Sequence, residues 1–197
     1  MQAKSLFLAL IGLGVAASGL VFARASQDDV QGYKQYAERN ASRVAWWTPT
    51  FESKGEIFVQ SEPVAWKADY DKLVGGLTAG RRVRLGGNFW TTLDISLPAT
   101  IGGTKVEPGY YYVLAEKGEG DSWNLVLLDY KRAHEKKLDA YMSEGVEGGL
   151  VCSTVYTKGD VEDEMTIDFG QNRETKTFSL DVAFGPHKIS AEIIPSL

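Results

Sequence analysis

A succession of short apolar segments, separated by turn signals, runs from Glu56 to the C-terminus and constrains the fold more than any other feature. In residues 89–97 the odd-numbered positions are Phe, Thr, Leu, Ile and Leu, whereas most even-numbered positions are polar. This period of two is typical of a half-buried strand. Gly102-Gly103 and Pro108-Gly109 are hairpin and turn signals. Roughly eight or nine such segments, with a turn about every 8–15 residues, predict a mostly β fold, an antiparallel β-sandwich or flattened barrel with one or two short helices.

The last third of the chain contributes further predicted strands. We place them at Leu150–Thr157, Glu164–Phe169, Lys176–Phe184 and Lys188–Ile194. Gly185-Pro186-His187 predicts a turn between the last two. Two segments have helical composition instead: Ala68–Leu77, and the charged segment Lys131–Met142, which we expect to be exposed.

The length of 197 residues and a hydrophobic content of 44% fit one globular domain. We predict a signal peptide over residues 1–25 and a polar linker or short helix, outside the core, over residues 26–55. Residues 56–197 then form the β-sandwich domain.

The N-terminus has the pattern of a secretory signal peptide. Lys4 is followed by an uncharged, mostly apolar stretch over residues 5–22, and Ala23-Arg24-Ala25 provides small residues at the cleavage subsites. We therefore expect an extracytoplasmic protein, periplasmic or secreted, whose mature form starts at Ser26. Once the signal is cleaved, no membrane span is expected. The alternative is an uncleaved anchor, although its glycines make a poor permanent span.

The charge argues against nucleic acid as a partner. The whole chain has 21 basic and 26 acidic residues. Removing Lys4 and Arg24 with the signal leaves 19 basic residues, and 19 minus 26 gives a net charge of −7. Such a balance repels phosphate backbones.

No catalytic, cofactor or metal motif stands out. His134 and His187 are the only histidines and lack the spacing of a helical zinc site. The acidic residues within 160–164 lack the pattern of a calcium-binding hand, and we interpret them as a solvated turn. Cys152 is the only cysteine and has apolar neighbours, so we expect it to be buried and unreactive. We predict no cofactor and no metal.

The candidate binding residues lie in and before the strand at 89–97. Trp90 shares a face with Thr92 and Asp94 if the alternation is strict. An exposed aromatic ring on a polar sheet face can stack on a sugar. Alternatively, Trp46, Trp47 or the Lys131–Met142 segment covers Trp90. Asn88 follows two glycines, where it either stabilises a turn in a left-handed conformation or holds a ligand beside Trp90.

The run of residues 84–93, RLGGNFWTTL, also resembles a known sequence signature. It is similar to the Arg-x-Gly-Ala-Asn-x-x-Thr-Thr core of a bacterial family, the domain of unknown function 2911 family. The order of flanking segments from Glu56 to Ile194 fits that family too. Gly87 replaces the usual alanine, and Phe89-Trp90 is bulkier than the usual pair. The resemblance implies an exported β domain and no particular activity.

Three hypotheses about function remain open. The first is a non-catalytic binding or structural module with a glycan or protein ligand. The second is a carbohydrate-binding module that uses Trp90 and its neighbours, which an exposed, coplanar pair of tryptophans would favour. The third is a hydrolase with an unrecognised site, which a deep pocket holding His134 or His187 with carboxylates would favour.

Overall fold

A computed structural model of the chain describes residues 40–47, 50, 52–172, 175 and 177–197, which all fall within one compact unit. Residues 1–25, the predicted signal peptide, and residues 26–39 of the predicted linker lie outside the described part. The strands are β1 (Asn40–Trp47), β2 (Ser53–Ser61), β3 (Arg82–Arg84), β4 (Thr91–Ile95), β5 (Ala99–Ile101), β6 (Thr104–Val106), β7 (Gly109–Lys117), β8 (Trp123–Asp129), β9 (Leu150–Ser153), β10 (Val155–Asn172) and β11 (Thr177–Pro195). The helices are α1 (Asp69–Gly75), α2 (Tyr130–Glu135) and a 3-10 helix (Ala140–Gly145).

The strands form two antiparallel sheets, as the sequence predicts. Sheet one has the order β1-β2-β4-β7-β8-β9, and β3 also pairs with β7. Sheet two has the order β10-β11-β5-β6. The predicted hairpin at Gly102-Gly103 is confirmed: it joins β5 to β6, and both glycines have positive φ, as a two-residue hairpin turn of this hand requires.

The inner faces of the two sheets bury a common core, so the fold is a β-sandwich. From sheet one come residues such as Ile57, Leu93 and Leu125, and from sheet two come residues such as Leu180 and Ile193, all fully buried. Apolar side chains at alternate positions of each strand make this packing possible.

A third layer covers the outer face of sheet one. Leu114, Val126 and Leu128 point away from the sandwich core and are still buried, because Ala133 of α2 and Ala140 of the 3-10 helix pack on them. Strand β8 is therefore buried on both faces over residues 125–128, which explains its unbroken apolar run. The predicted exposed helix over Lys131–Met142 is in fact two short helices that cover this second core.

The predicted linker needs a correction. Residues 40–47 form an edge strand of sheet one, paired with β2 from Asn40 opposite Ser61 onwards. Val44 is buried in the core, and Trp46 packs edge-on against Phe178 of sheet two, with ring centroids 5.6 Å apart. Half of the residues in this segment are exposed at the sheet edge, which accounts for its polar positions.

The predicted turn at residues 185–187 is also wrong. Strand β11 runs through it, and Gly185, with a φ of +56°, pairs with Glu162 between two irregular stretches in which β10 carries extra residues. A Cβ at Gly185 would overlap the indole of Trp66, so glycine provides both the left-handed backbone and the space for that ring. The acidic residues near 160–164 likewise lie within β10 and not in a turn.

Helix α1 lies within the predicted Ala68–Leu77 segment and is two turns long. Ala68 is its N-cap and gives no side-chain cap, while Gly76 is its C-cap. None of its residues is buried. In the described part of the chain, no helix combines the length and apolar character needed to cross a bilayer.

Candidate functional site

A cavity of about 430 Å³ lies between the two sheets beneath α1. Sheet one and the turn after β3 contribute residues 83–86 and Ala115. Sheet two contributes Met165, Val182 and Ile189, and α1 contributes Tyr70, Leu73 and Val74. The walls are thus predominantly aliphatic. This volume is within the range of about 300–1,000 Å³ that is typical of small-molecule sites.

Aromatic rings surround one corner of the cavity. Trp66, on the segment between β2 and α1, lies edge-on to Phe184 of β11 at 4.8 Å between ring centroids. Tyr70 of α1 contacts the same Phe184 ring at 5.4 Å, and Trp66 also contacts the ring of His187 at 5.9 Å. These rings connect α1 to sheet two. They make the corner both apolar and shape-specific.

A chain of three polar side chains borders the cavity at this corner. The Nε2 atom of His187 lies 2.9 Å from Oδ1 of Asp71 on α1, and its Nδ1 atom lies 2.9 Å from the hydroxyl of Tyr156 on β10. The His187 side chain is only 14% exposed, whereas that of Asp71 is 60% exposed. The chain therefore leads from the surface inward, and both Tyr156 and His187 line the cavity.

The hydrogen-bond roles along this chain follow from the carboxylate. Asp71 only accepts when ionised, so Nε2 of His187 must carry a proton. In the neutral imidazole, Nδ1 then accepts the proton of the Tyr156 hydroxyl. Burial raises the pKa of the Tyr156 phenol above its ordinary value, and the carboxylates of Asp121 and Asp71 raise it further. Tyr156 thus remains a neutral phenol near pH 7, and its oxygen keeps lone pairs for another donor.

The structure does not make Trp90 a sugar-stacking platform. Its side chain is only 8% exposed, within the second core, and it stacks on Tyr112 with centroids 4.9 Å apart and planes 15° apart. Of the two interpretations of Trp90, the structure supports the covered one, and the third layer is the cover. The neighbouring Phe89 is 43% exposed, because strand β4 begins at Thr91 and the alternation does not extend back to residue 89.

Asn88 holds a turn together through both ends of its side chain. Its Nδ2 donates to Oε1 of Glu62 at 2.7 Å, and its backbone nitrogen donates to Oε2 of the same carboxylate at 2.8 Å. The hydroxyl of Tyr141 donates to Oδ1 of Asn88 at 2.8 Å. The left-handed residue of this turn is Gly86, with a φ of +79°, and not Asn88. These contacts give Asn88 a structural role, because they hold the turn to Glu62 and Tyr141.

The other two candidate residues, Thr92 and Asp94, do not share a surface with each other. Thr92 is buried at 6% exposure, and Asp94 is exposed at a position paired with Phe58 and Tyr110. The structure therefore does not bring Asn88, Trp90, Thr92 and Asp94 together as one binding site.

The remaining chemistry-bearing residues are separate from the cavity. His134 is exposed on α2 and contacts Tyr130, with ring centroids 4.3 Å apart. Cys152 is fully buried, as predicted, and burial raises the pKa of its thiol to about 12. Among the described residues, no three histidine, cysteine or acidic side chains come together as a metal site.

Sequence reasoning missed Asp71 and Tyr156, and it placed His187 in a surface turn. Asp71 precedes His187 by 116 residues, and Tyr156 precedes it by 31. The pairing of β10 with β11 brings Tyr156 opposite Ile189, and α1 then adds Asp71. The scarcity of histidine was the one available signal, since any buried imidazole had to be His134 or His187.

Comparisons of this chain with protein-family models, with curated proteins and with solved structures return no match. The resemblance of residues 84–93 to the domain of unknown function 2911 family stays a prediction from the motif. The cavity and its polar corner are therefore the basis on which a function is proposed.

Proposed function

We propose that this chain is an exported binding protein that holds a small, uncharged, largely apolar ligand in the cavity between its two sheets. The observation that carries the proposal is the cavity itself, with its aliphatic walls and one polar corner at His187 and Tyr156. Sites with an apolar lining and a few converging polar groups are the usual form of small-molecule pockets. The signal-peptide pattern of residues 1–25 supports export.

The polar corner selects the ligand's functional group. With a neutral imidazole, the Tyr156 hydroxyl already donates to His187, so its oxygen is available only as an acceptor. A ligand with one hydroxyl or N–H group satisfies it, whereas a ligand with only a carbonyl does not. We therefore propose an aromatic or alicyclic alcohol, or a similar molecule with a single donor.

Fluorescence titration with 1-naphthol tests this proposal. Naphthalene has the same apolar body without the hydroxyl and is the matched control ligand. We expect both to bind, with 1-naphthol tighter by about two- to tenfold, the value of one hydrogen bond. Tyr156→Phe should remove this preference while leaving naphthalene binding unchanged. Absence of saturable binding by either molecule would overturn the proposal.

A pair of substitutions locates the binding. Val83 is half-buried and lines the cavity, so Val83→Phe should fill part of it and abolish binding. Val161 is 58% exposed on β10 and does not line the cavity, so Val161→Phe should leave binding unchanged. Equal affinity in the two variants would mean that the ligand binds elsewhere.

A hydrolase is the second candidate, because a cavity does hold His187 with a carboxylate at 2.9 Å. Both ring nitrogens of His187 are already bonded, and the raised pKa of Tyr156 makes its phenolate a scarce base near pH 7. These features favour binding over catalysis. Turnover of naphthyl acetate that is lost in His187→Gln and retained in His134→Gln would favour the hydrolase.

A carbohydrate-binding module has less support. Trp90 is buried, Trp46 packs in the core and Trp47 alone of the three is well exposed, at 60%. No coplanar exposed pair of tryptophans is present among the described residues. The proposal therefore rests on the cavity and not on surface aromatic rings.

A further inference from the structure

Two arginines of β3 differ sharply in their hydrogen bonding. Arg82 and Arg84 lie on the same face of the strand, since residues two apart in a strand do so. Arg82 is fully engaged: its Nε donates to Glu116 at 2.7 Å, and its Nη1 donates to the carbonyl oxygens of Val146 and Gly148. The charge of Arg82 is thus balanced by Glu116.

Arg84 has no such partner. Its Nη1 atom is buried and makes no hydrogen bond, and in the described part of the chain its guanidinium forms no ion pair. Its one contact of note is with the ring of Tyr141, 4.5 Å from the guanidinium carbon to the ring centroid. Buried polar atoms without a partner are rare in proteins, so the unsatisfied Nη1 of the half-buried Arg84 requires an explanation. Such a group indicates an anionic ligand.

A second, smaller pocket of about 270 Å³ borders Arg84. Tyr141 and Ser143 of the 3-10 helix line it on one side, and Arg82, Arg84 and Gly86 line it on the other. Ser143 is buried and carries a hydroxyl that can donate to an anion. Residues 83, 84 and 86 line this pocket and the larger cavity, so β3 and the turn after it lie between the two.

The geometry around Arg84 is fixed by Tyr141, Asn88 and Glu62. Tyr141 covers one face of the guanidinium, and its hydroxyl is held by Asn88, which is in turn held by Glu62. A guanidinium whose face is covered can still donate through its edge, where two N–H groups match the two oxygens of a carboxylate. Because Glu116 balances Arg82, one positive charge is left, which suits a monoanion better than a dianionic phosphate.

We propose that Arg84, with Ser143 beside it, binds the carboxylate of a small organic acid in this pocket. Arg84 also borders the larger cavity, but its guanidinium lies on the Tyr141 side, so this site does not depend on the proposed function. Asn88 and Tyr141 are positioning residues for this site. Tyr141 contacts the face of the guanidinium, and Asn88 holds Tyr141 in place.

Titration of the isotope-labelled protein with sodium benzoate, followed by NMR, tests the site. We expect saturable shifts at the Nε–H signal of Arg84 and at the Tyr141 ring, and at least about tenfold weaker effects with the neutral analogue benzamide. Inorganic phosphate is the competing probe. Equal effects of benzamide, shifts confined to other residues, or tighter binding of phosphate would each overturn the carboxylate assignment.

Variants then isolate the arginine fork. Arg84→Gln should weaken benzoate binding by about tenfold or more, and Arg84→Lys, which keeps the charge without the fork, should weaken it by a similar factor. The matched control is Arg43→Gln, which removes one charge from an exposed ion pair with Glu56. Unchanged benzoate affinity in Arg84→Lys would contradict the role of the fork, and an equal loss in Arg43→Gln would indicate a general charge effect only.

Discussion

The hydroxyl of Tyr141 donates a 2.8 Å hydrogen bond to the side-chain oxygen of Asn88, 53 residues earlier in the chain. This bond connects the 3-10 helix of the third layer to the turn before β4. Because Asn88 also binds the carboxylate of Glu62 at the end of β2, three distant segments meet at one amide. The asparagine of the 84–93 motif therefore has a structural explanation that needs no ligand.

Asn88→Ala should lower the free energy of unfolding by about 1–2 kcal/mol, because it removes two side-chain hydrogen bonds and leaves Glu62 without the amide partner. Urea unfolding measures the change. Asn40→Ala, at the exposed start of β1, is the control and should shift the midpoint little. In a double-mutant cycle with Tyr141→Phe, the stability loss of the double variant should be smaller than the sum of the two single losses. Strict additivity would show that the bond between Asn88 and Tyr141 contributes nothing.

Trp90→Ala should destabilise the protein by about 3–5 kcal/mol, the usual effect of removing a buried aromatic side chain. The adjacent Phe89 is the matched control, since it is 43% exposed, and Phe89→Ala should cost less than about 1 kcal/mol. Thermal or urea unfolding of both variants decides the matter. A small loss of stability in Trp90→Ala with a large loss in Phe89→Ala would mean that Phe89, and not Trp90, is the buried ring.

Stability should fall as the pH rises from about 9 to about 12, in part through Cys152. Its thiol has a pKa near 9.0 in an open chain and about 12 in the folded protein. Between these values the unfolded chain loses the thiol proton while the folded chain keeps it, so each pH unit costs up to about 1.4 kcal/mol. Cys152→Ala should flatten the unfolding profile in this window. Identical slopes in the two proteins would contradict the burial of the thiol.

The same burial predicts slow thiol chemistry. Below pH 9 the native protein should react with a thiol reagent far more slowly than the urea-unfolded chain, because the neutral, buried thiol must wait for an opening event. Equal labelling rates for the native and the unfolded protein would count against it.

Gly185→Ala should destabilise the protein more than Gly120→Ala. Both glycines have nearly the same positive φ, +56° and +58°, so both substitutions impose similar backbone strain of about 1–2 kcal/mol. A Cβ at Gly120 meets no atom within 4 Å, whereas one at Gly185 overlaps Trp66. We expect a further loss of about 1–3 kcal/mol at Gly185 from this overlap. Equal losses in calorimetric melting would show that the Trp66 ring moves aside freely.

Local patterns predicted the parts of this fold that depend on local forces. The alternation in residues 91–95 and the glycine pair at 102–103 each determine one element without help from the rest of the chain. The sandwich follows because many such strands must bury one face. The strand at 40–47 was missed because an edge strand with half of its residues exposed has a composition like that of a linker.

The candidate sites were less predictable, because they depend on which segments meet. Gly185 appears in the sequence as a turn glycine, and only the position of Trp66 shows why no side chain fits there. Trp90 appears exposed until a third layer is placed on sheet one. The contact of Asp71 with His187 needs the docking of α1, which no periodicity encodes.

The lack of buried residues in α1 has a consequence for access to the interior. Strands β7 and β8 contribute buried residues to both cores, so we expect their amide protons to exchange with solvent only when the whole domain unfolds. Lifting α1 from the sandwich would break the Asp71 contact, the aromatic contacts of Tyr70 and the packing of Val74 on the core. Because no residue of α1 is fully buried, we expect this opening to cost less free energy than unfolding of the whole domain. We therefore expect a molecule to enter and leave the interior by movement of α1 while the sandwich stays folded.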